Sequence, residues 1–160
     1  MIVILMGVAG AGKTTVGRLL ARELGWSFYD ADDFHPRANV SKMARGAPLD
    51  DRDRAPWLDA LRELIVGCLA RGEDAVLACS ALKEDYRRRL LVDARVKLIY
   101  LKGEYELIRE RLAARAGHFM KPELLASQFE ALEEPGPEAQ VDASGPPAEV
   151  VKAVRDRLGV

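Results

Sequence analysis

The sequence is poor in the residues that build metal centres and disulfides. Its 160 residues include two cysteines, Cys68 and Cys79, and two histidines, His35 and His118. No C-x-x-C or H-x-x-x-H spacing is present, which argues against a zinc site. Two isolated thiols make no disulfide framework, and both read as buried, reduced side chains. Charge of one sign is also missing. The 24 basic and 25 acidic side chains leave a net charge of −1, whereas a protein that grips a nucleic-acid backbone shows a basic excess. The apolar run behind Met1 is far shorter than the roughly 20 residues of a membrane span, and it has neither a charged leader nor a cleavage site. A cytoplasmic location with no membrane or nucleic-acid partner is therefore expected. No internal repeat is visible.

What is present suits one domain, residues 1–160, large enough to bury a core without a staple. Ile2 to Met6, Ala75 to Cys79 and Val96 to Leu101 are nearly continuous apolar runs, the pattern of parallel strands covered on both faces. Ser27 to Asp30 and Ala139 to Asp142 are two shorter candidates. Helical spacing links Val16, Leu20 and Leu24; Trp57, Leu61, Ile65 and Cys68; Tyr86 and Leu90; Ile108 and Leu112; and Val150, Val154 and Leu158. Strands alternating with helices predict an α/β fold around a five-stranded parallel sheet with right-handed crossovers. Glu133 to Pro137 and Gly145 to Pro147 read as turns.

Gly7-Val8-Ala9-Gly10-Ala11-Gly12-Lys13-Thr14 matches G-x-x-x-x-G-K-[ST] between a buried strand and an amphipathic helix, the context that motif requires. Gly7, Gly10, Ala11, Gly12, Thr14 and Thr15 are candidate nucleotide contacts through an anion nest of backbone N–H groups. Lys13 is placed to reach the β- and γ-phosphates, and Thr14 to offer its hydroxyl to Mg²⁺. This predicts a P-loop fold that binds a nucleoside triphosphate. The motif alone leaves the phosphoryl acceptor open. Asp30 and Asp32 end the second strand, and alternation puts them on one side if the chain stays extended. There they face the cradle, one to support Mg²⁺ and the other to accept a proton. The competing reading makes Asp32 or Asp33 the N-cap of the next helix. Residues 34–56 and 116–137 break the alternation and are expected to form an acceptor-binding segment and a helical lid.

The block Asp30-Ala31-Asp32-Asp33-Phe34-His35-Pro36, then Asn39, Lys42-Met43, Gly46-Ala47-Pro48-Leu49 and Asp53-Arg54-Ala55-Pro56-Trp57-Leu58, resembles the gluconate kinase pattern. Ala78-Cys79-Ser80-Ala81-Leu82-Lys83, Tyr86-Arg87, Tyr100 to Gly103, Arg111 to Arg115, Gly117 to Met120, Gln128-Phe129 and Leu132 to Pro135 continue it in order. The resemblance covers residues 1 to about 137; Ala9 and Ala11 depart from it where serine is frequent. It implies a shikimate-kinase-like P-loop fold, a homodimer, and transfer of phosphate from ATP to the 6-hydroxyl of D-gluconate.

It also implies roles. Asp32 becomes the catalytic base and Asp30 the support for Mg²⁺. Arg54, Lys83 and Arg87 offer cations to the carboxylate of gluconate, arginine being suited to bidentate binding. Asp32, His35 and Ser80 offer partners for its hydroxyls. For Arg54 the competing reading is an ion pair with Asp50, Asp51 or Asp53; for Lys83 and Arg87 it is a solvated helix face. Arg111 and Arg115 are expected at adenine or the phosphates, with Arg115 among the catalytic groups. Ala143 and Ser144 are expected at an adenine wall, and His118 as either a structural or a ligand-binding residue. The alternatives are a kinase for another small hydroxylated acceptor such as shikimate, a nucleic-acid end kinase, and a non-catalytic nucleotide-binding switch.

Overall fold

The computed structural model of the chain describes residues 1–115 and 122–160. Among these, five strands form one parallel sheet: β1 (Ile2–Met6), β2 (Ser27–Asp30), β3 (Ala75–Ala78), β4 (Val96–Lys102) and β5 (Gln140–Asp142). The order across the sheet is β2-β3-β1-β4-β5. β1 lies at its centre, with Ile4 opposite Leu77 on one side and Leu98 on the other. All five residues of β1 are buried, as a strand covered on both faces requires.

Seven helices complete the described fold: α1 (Lys13–Leu24), α2 (Arg37–Ala44), α3 (Asp51–Ala70), α4 (Glu84–Leu90), α5 (Tyr105–Ala114), α6 (Pro122–Ala131) and α7 (Pro147–Leu158). Alternation along β1 sorts the core into two layers. Val3 and Leu5 pack with Val16 and Leu20 of α1, Ile108 of α5, Leu125 of α6 and Val150 and Val154 of α7. Ile2, Ile4 and Met6 pack with Leu58, Leu61 and Ile65 of α3 and Tyr86 and Leu90 of α4. The sheet is thus sandwiched between helices, and its carboxyl edge is left for the site.

The strands stand where their apolar runs put them. The connections hold the differences. Asp30 and Asp32 do not lie on one continuous strand: Ala31–Phe34 is a 3₁₀ turn whose N-cap is Asp30, its carboxylate accepting from the Asp32 N–H at 3.0 Å. The capping that the competing reading gave to Asp32 or Asp33 falls to Asp30. Within the expected acceptor-binding segment, α2 forms and the first turn of α3 begins. The latter is fixed by a capping box in which the Asp50 and Asp53 side chains each accept the other's backbone N–H. Pro147 opens α7 at a position where a missing N–H costs nothing. Of the expected lid, the structure describes α6 and residues 132–137. Gly117, His118, Phe119 and Met120 lie outside the described residues.

Candidate functional site

The loop between β1 and α1 turns through two glycines in left-handed conformations, Gly10 at φ 83° and Gly12 at φ 96°. A Cβ on Gly10 would also come within 2.9 Å of Leu112, so a side chain fails there on two counts. Gly12 is the N-cap of α1 and supplies no side-chain cap. The first N–H groups of that helix stay free for an anion. The Gly7 N–H bonds the Ser80 carbonyl at 3.3 Å, which ties the loop to the end of β3.

Lys13 lies across this loop, its ammonium donating to the Gly7 and Val8 carbonyls, each at 2.9 Å. An ammonium has three protons, so one is left for a phosphate oxygen. Burial holds the Lys13 pKa below its ordinary value and Arg115 adds to this, while Asp32 and Asp30 pull it back up. Asp32 shifts the other way. Burial and the neighbouring Asp30 raise its pKa, and Lys13 and His35 oppose the rise. Two adjacent carboxylates, one with its pKa raised, form an arrangement that suits acid–base work. The Thr14 hydroxyl donates to Asp30 Oδ2 at 3.3 Å. Behind them, burial pushes the Cys79 thiol up to about 12, so it stays protonated and inert.

These groups line a cavity of about 780 Å³ at the carboxyl edge of the sheet. Its lining comes from the phosphate loop (Gly10, Gly12, Lys13, Thr14 and Thr15), from the ends of β2 and β3 and the turns after them (Asp30, Asp32, His35 and Ser80), from Arg54 and residues 46–49, from Leu112 and Arg115 at the end of α5, and from Leu124, Ser127 and Gln128 of α6. Gly7 and Ala11 shape the loop from behind, with Ala11 packed into the core.

Arg54 donates to the Leu49 carbonyl at 2.8 Å and sits over the Tyr86 ring at 5.7 Å. Among the described residues it makes no ion pair with Asp50, Asp51 or Asp53; its other contact is with the Tyr86 hydroxyl at 3.4 Å, through the same Nη1, and the side chain lines the cavity. His35 stacks on Trp57, ring centroids 4.6 Å apart and planes 9° apart, and Trp57 is itself anchored to the Ala31 carbonyl at 2.7 Å.

Four expected contacts stand elsewhere. Arg87 is corrected from a carboxylate ligand to a structural residue. It is 5% exposed, and its guanidinium donates to the carbonyls of Ala81 (3.0 Å), Leu82 (3.1 Å) and Glu133 (2.8 Å). It steadies Ala81, whose φ of 43° is unusual for a residue with a Cβ, just after Ser80. Lys83 lies outside the cavity lining and pairs with Asp51 at 3.2 Å. Arg111 and Ala143 also lie off that lining and contact each other, the guanidinium donating to the Ala143 carbonyl at 2.6 Å and the Ser144 carbonyl at 3.0 Å. Arg87→Met should therefore destabilise the fold by roughly 2–3 kcal/mol, since the buried Ala81 carbonyl loses its donor and the Leu82 and Glu133 carbonyls each lose one. Urea unfolding measures this. A raised acceptor KM with unchanged stability would restore the ligand role.

One contact had no counterpart in the sequence reading. Gln128 of α6 accepts the Ala9 N–H at 2.7 Å, so that helix touches the phosphate loop directly.

Comparison with known proteins bears on this arrangement. A family profile described as "AAA domain" matches residues 2–135. A mouse (Mus musculus) protein named "Probable gluconokinase" is 45% identical over 180 aligned positions, spanning 98% of this chain and 97% of that one. The "Thermoresistant gluconokinase" of Escherichia coli (strain K12) is 46% identical over 136 positions, covering 84% of this chain and 78% of its own. The crystal structure of a gluconokinase from Sinorhizobium meliloti 1021 superposes with a TM-score of 0.88 at 40% identity, covering 98% of this chain and 90% of that one.

Proposed function

The chain belongs to the gluconokinase family, and from that premise we propose how it moves the γ-phosphate of ATP to the 6-hydroxyl of D-gluconate, giving 6-phospho-D-gluconate and ADP. One observation carries the reading: the phosphate loop, the Asp32 carboxylate with its raised pKa and the Arg54 guanidinium line one cavity.

The acceptor fits between the 46–49 loop and the ends of β2 and β3, within residues 34–56. Its carboxylate is met by Arg54, whose fork suits bidentate pairing. Its hydroxyls are met by His35 and Ser80. Its 6-hydroxyl is turned toward Asp32. As the new O–P bond forms and the β–γ bridging P–O bond breaks, the Asp32 carboxylate takes the hydroxyl proton. Lys13 and Arg115 balance charge on the transferring group, which is most of what a loose phosphoryl-transfer transition state asks of a protein. Gly10, Gly12 and Thr15 hold the phosphates. Adenine is placed beyond the cavity lining, against Arg111 and the Ala143–Ser144 turn that it braces.

Mg²⁺ fits this site. Thr14 and Asp30 present a hydroxyl and a carboxylate side by side, the sparse donor set of a cation that shares its shell with substrate phosphates. The described residues hold no cluster of three or more His, Cys, Asp or Glu that would bind a metal unaided. When bound, the cation supplies charge neutralisation on the phosphate oxygens. The proposal extends to a homodimer, which the resemblance implies, and to the cytoplasm, whose reducing conditions suit two free buried thiols. No described helix is long and apolar enough to cross a membrane.

A panel of acceptors with ATP, scored for ADP release, tests the reading. D-gluconate should be turned over fastest, ahead of shikimate and nucleoside monophosphates. ADP release no faster than background with every sugar acid would leave a nucleotide-binding switch. Arg54→Ala should raise the gluconate KM by roughly 10- to 100-fold, the loss of a charge-assisted pair, with the ATP KM nearly unchanged. An effect confined to ATP would move Arg54 to the other substrate.

A further inference from the structure

We infer that Asn39 is a positioning residue: it fixes His35 as the Nε2–H tautomer, so that the imidazole is a dedicated hydrogen-bond donor to the acceptor substrate and is barred from acting as a base beside Asp32.

Asn39 lies on α2 and is 3% exposed, one of only two buried polar or charged residues in the described chain. A buried amide must find partners, and these partners orient it. Its Nδ2 lies 2.8 Å from the Asp53 carbonyl. A carbonyl only accepts, so the NH₂ group faces it and the amide is not free to flip. The same Nδ2 lies 3.2 Å from Nδ1 of His35. Its second proton therefore points at that ring nitrogen, which has to accept. An accepting Nδ1 carries no proton, and the neutral ring carries its proton on Nε2.

The frame behind this is rigid. Asp53 stands in the capping box of α3, and its carboxylate also takes the Lys42 ammonium at 2.6 Å. The imidazole lies flat on Trp57, and turning it over would set a ring C–H against the Asn39 donor. Protonating Nδ1 would set two donors face to face. Burial and Arg54 also disfavour the charged ring, against the pull of Asp32. Among the described residues Nε2 has no protein partner, and His35 lines the acceptor end of the cavity. Neither ring nitrogen can then take a proton from a hydroxyl: one is engaged and the other is already protonated. Nε2–H can only donate, to a hydroxyl or carboxylate oxygen. That this oxygen is gluconate's rests on the function proposed above; the tautomer does not.

Long-range ¹H–¹⁵N correlation on the labelled full chain at pH 7 reads the tautomer directly. There are two imidazoles to assign, separated with a His118→Gln variant. His35 should show a protonated Nε2 and an unprotonated Nδ1. An Nδ1–H tautomer or an imidazolium at that pH overturns the inference, whatever the acceptor proves to be.

Kinetics supply the second arm. Asn39→Asp presents a carboxylate that accepts from Nδ1–H and reverses the tautomer. The gluconate KM should rise roughly 5- to 30-fold while the ATP KM stays within about twofold. His35→Gln carries its own amide donor and does not depend on Asn39. In that background Asn39→Asp should add less than about threefold. Equal penalties in both backgrounds would make Asn39 merely structural. Should Asn39→Asp fail to fold, Asn39→Ser is carried through the same cycle, with the wild-type spectrum still decisive. A panel that favours another acceptor would sink the gluconate reading while leaving the tautomer result standing.

Discussion

Lys13→Met is expected to lower turnover by about 10³-fold or more, the scale on which one cation at a transferring phosphoryl group matters, without weakening the fold. Methionine keeps much of the length and loses the charge. The lysine's protein contacts are two carbonyls of its own loop, so no distant element depends on it. The stability sign follows from its depressed pKa. A lysine that binds its proton less tightly when folded works against the fold wherever it is charged. Removing it should leave Tm unchanged or raised at neutral pH. Circular dichroism melting and a coupled ADP assay on the same preparation measure both quantities. Turnover within tenfold of wild type would remove the cradle lysine from the mechanism.

Asp32→Asn is expected to lower kcat by about 10²–10⁴-fold, the usual reach of a positioned base, with the ATP KM little changed. The wild-type acid limb should fall with unit slope through a pKa above the ordinary carboxylate range, because burial and Asp30 raise it; the asparagine variant should lack that limb. The linkage has the opposite sign to the usual carboxylate case. A folded pKa raised above the unfolded value contributes stability below the unfolded value and loses it as pH rises through the folded one. Ionised Asp32 therefore strains the fold at neutral pH, and Asp32→Asn should melt higher there, the gap closing below the ordinary aspartate pKa. Higher Tm together with lower kcat is the mark of a functional charge. Retention of kcat within about threefold would exclude base catalysis. Collapse of ATP–Mg²⁺ binding would show that Asp30 and Asp32 exchange roles.

The centre of this molecule was open to a sequence reading because its signals are local. A buried strand, followed within eight positions by three glycines and a lysine, fixes the cradle, and its orientation follows from the helix it opens. Asp30 and Asp32 reach the cavity as expected but by a different path, a 3₁₀ turn rather than an extended strand. Arg87 misled because a cationic helix face looks solvent-exposed until Ala81, Leu82 and Glu133 aim their carbonyls at it. α2 was not anticipated: residues 37–44 carry a weak apolar stripe, and its one buried residue is polar Asn39. Gln128 stood within the family resemblance, but its contact gave no local signal, since its partner Ala9 lies 119 positions away in the chain.

The segment that leaves α6 is held from three sides. The Glu133 N–H donates to the Leu82 carbonyl at 2.8 Å, its carbonyl takes Arg87, and its carboxylate takes the Glu84 N–H at 3.2 Å. Leu132 packs against both core layers at once. Mechanically this is a clamp on one end of α6, and Leu125, 2% exposed in the core, is a second fastening seven positions earlier. Gln128 stands between the two, so its hold on the Ala9 N–H is set by the framework of the fold rather than by the loop it touches.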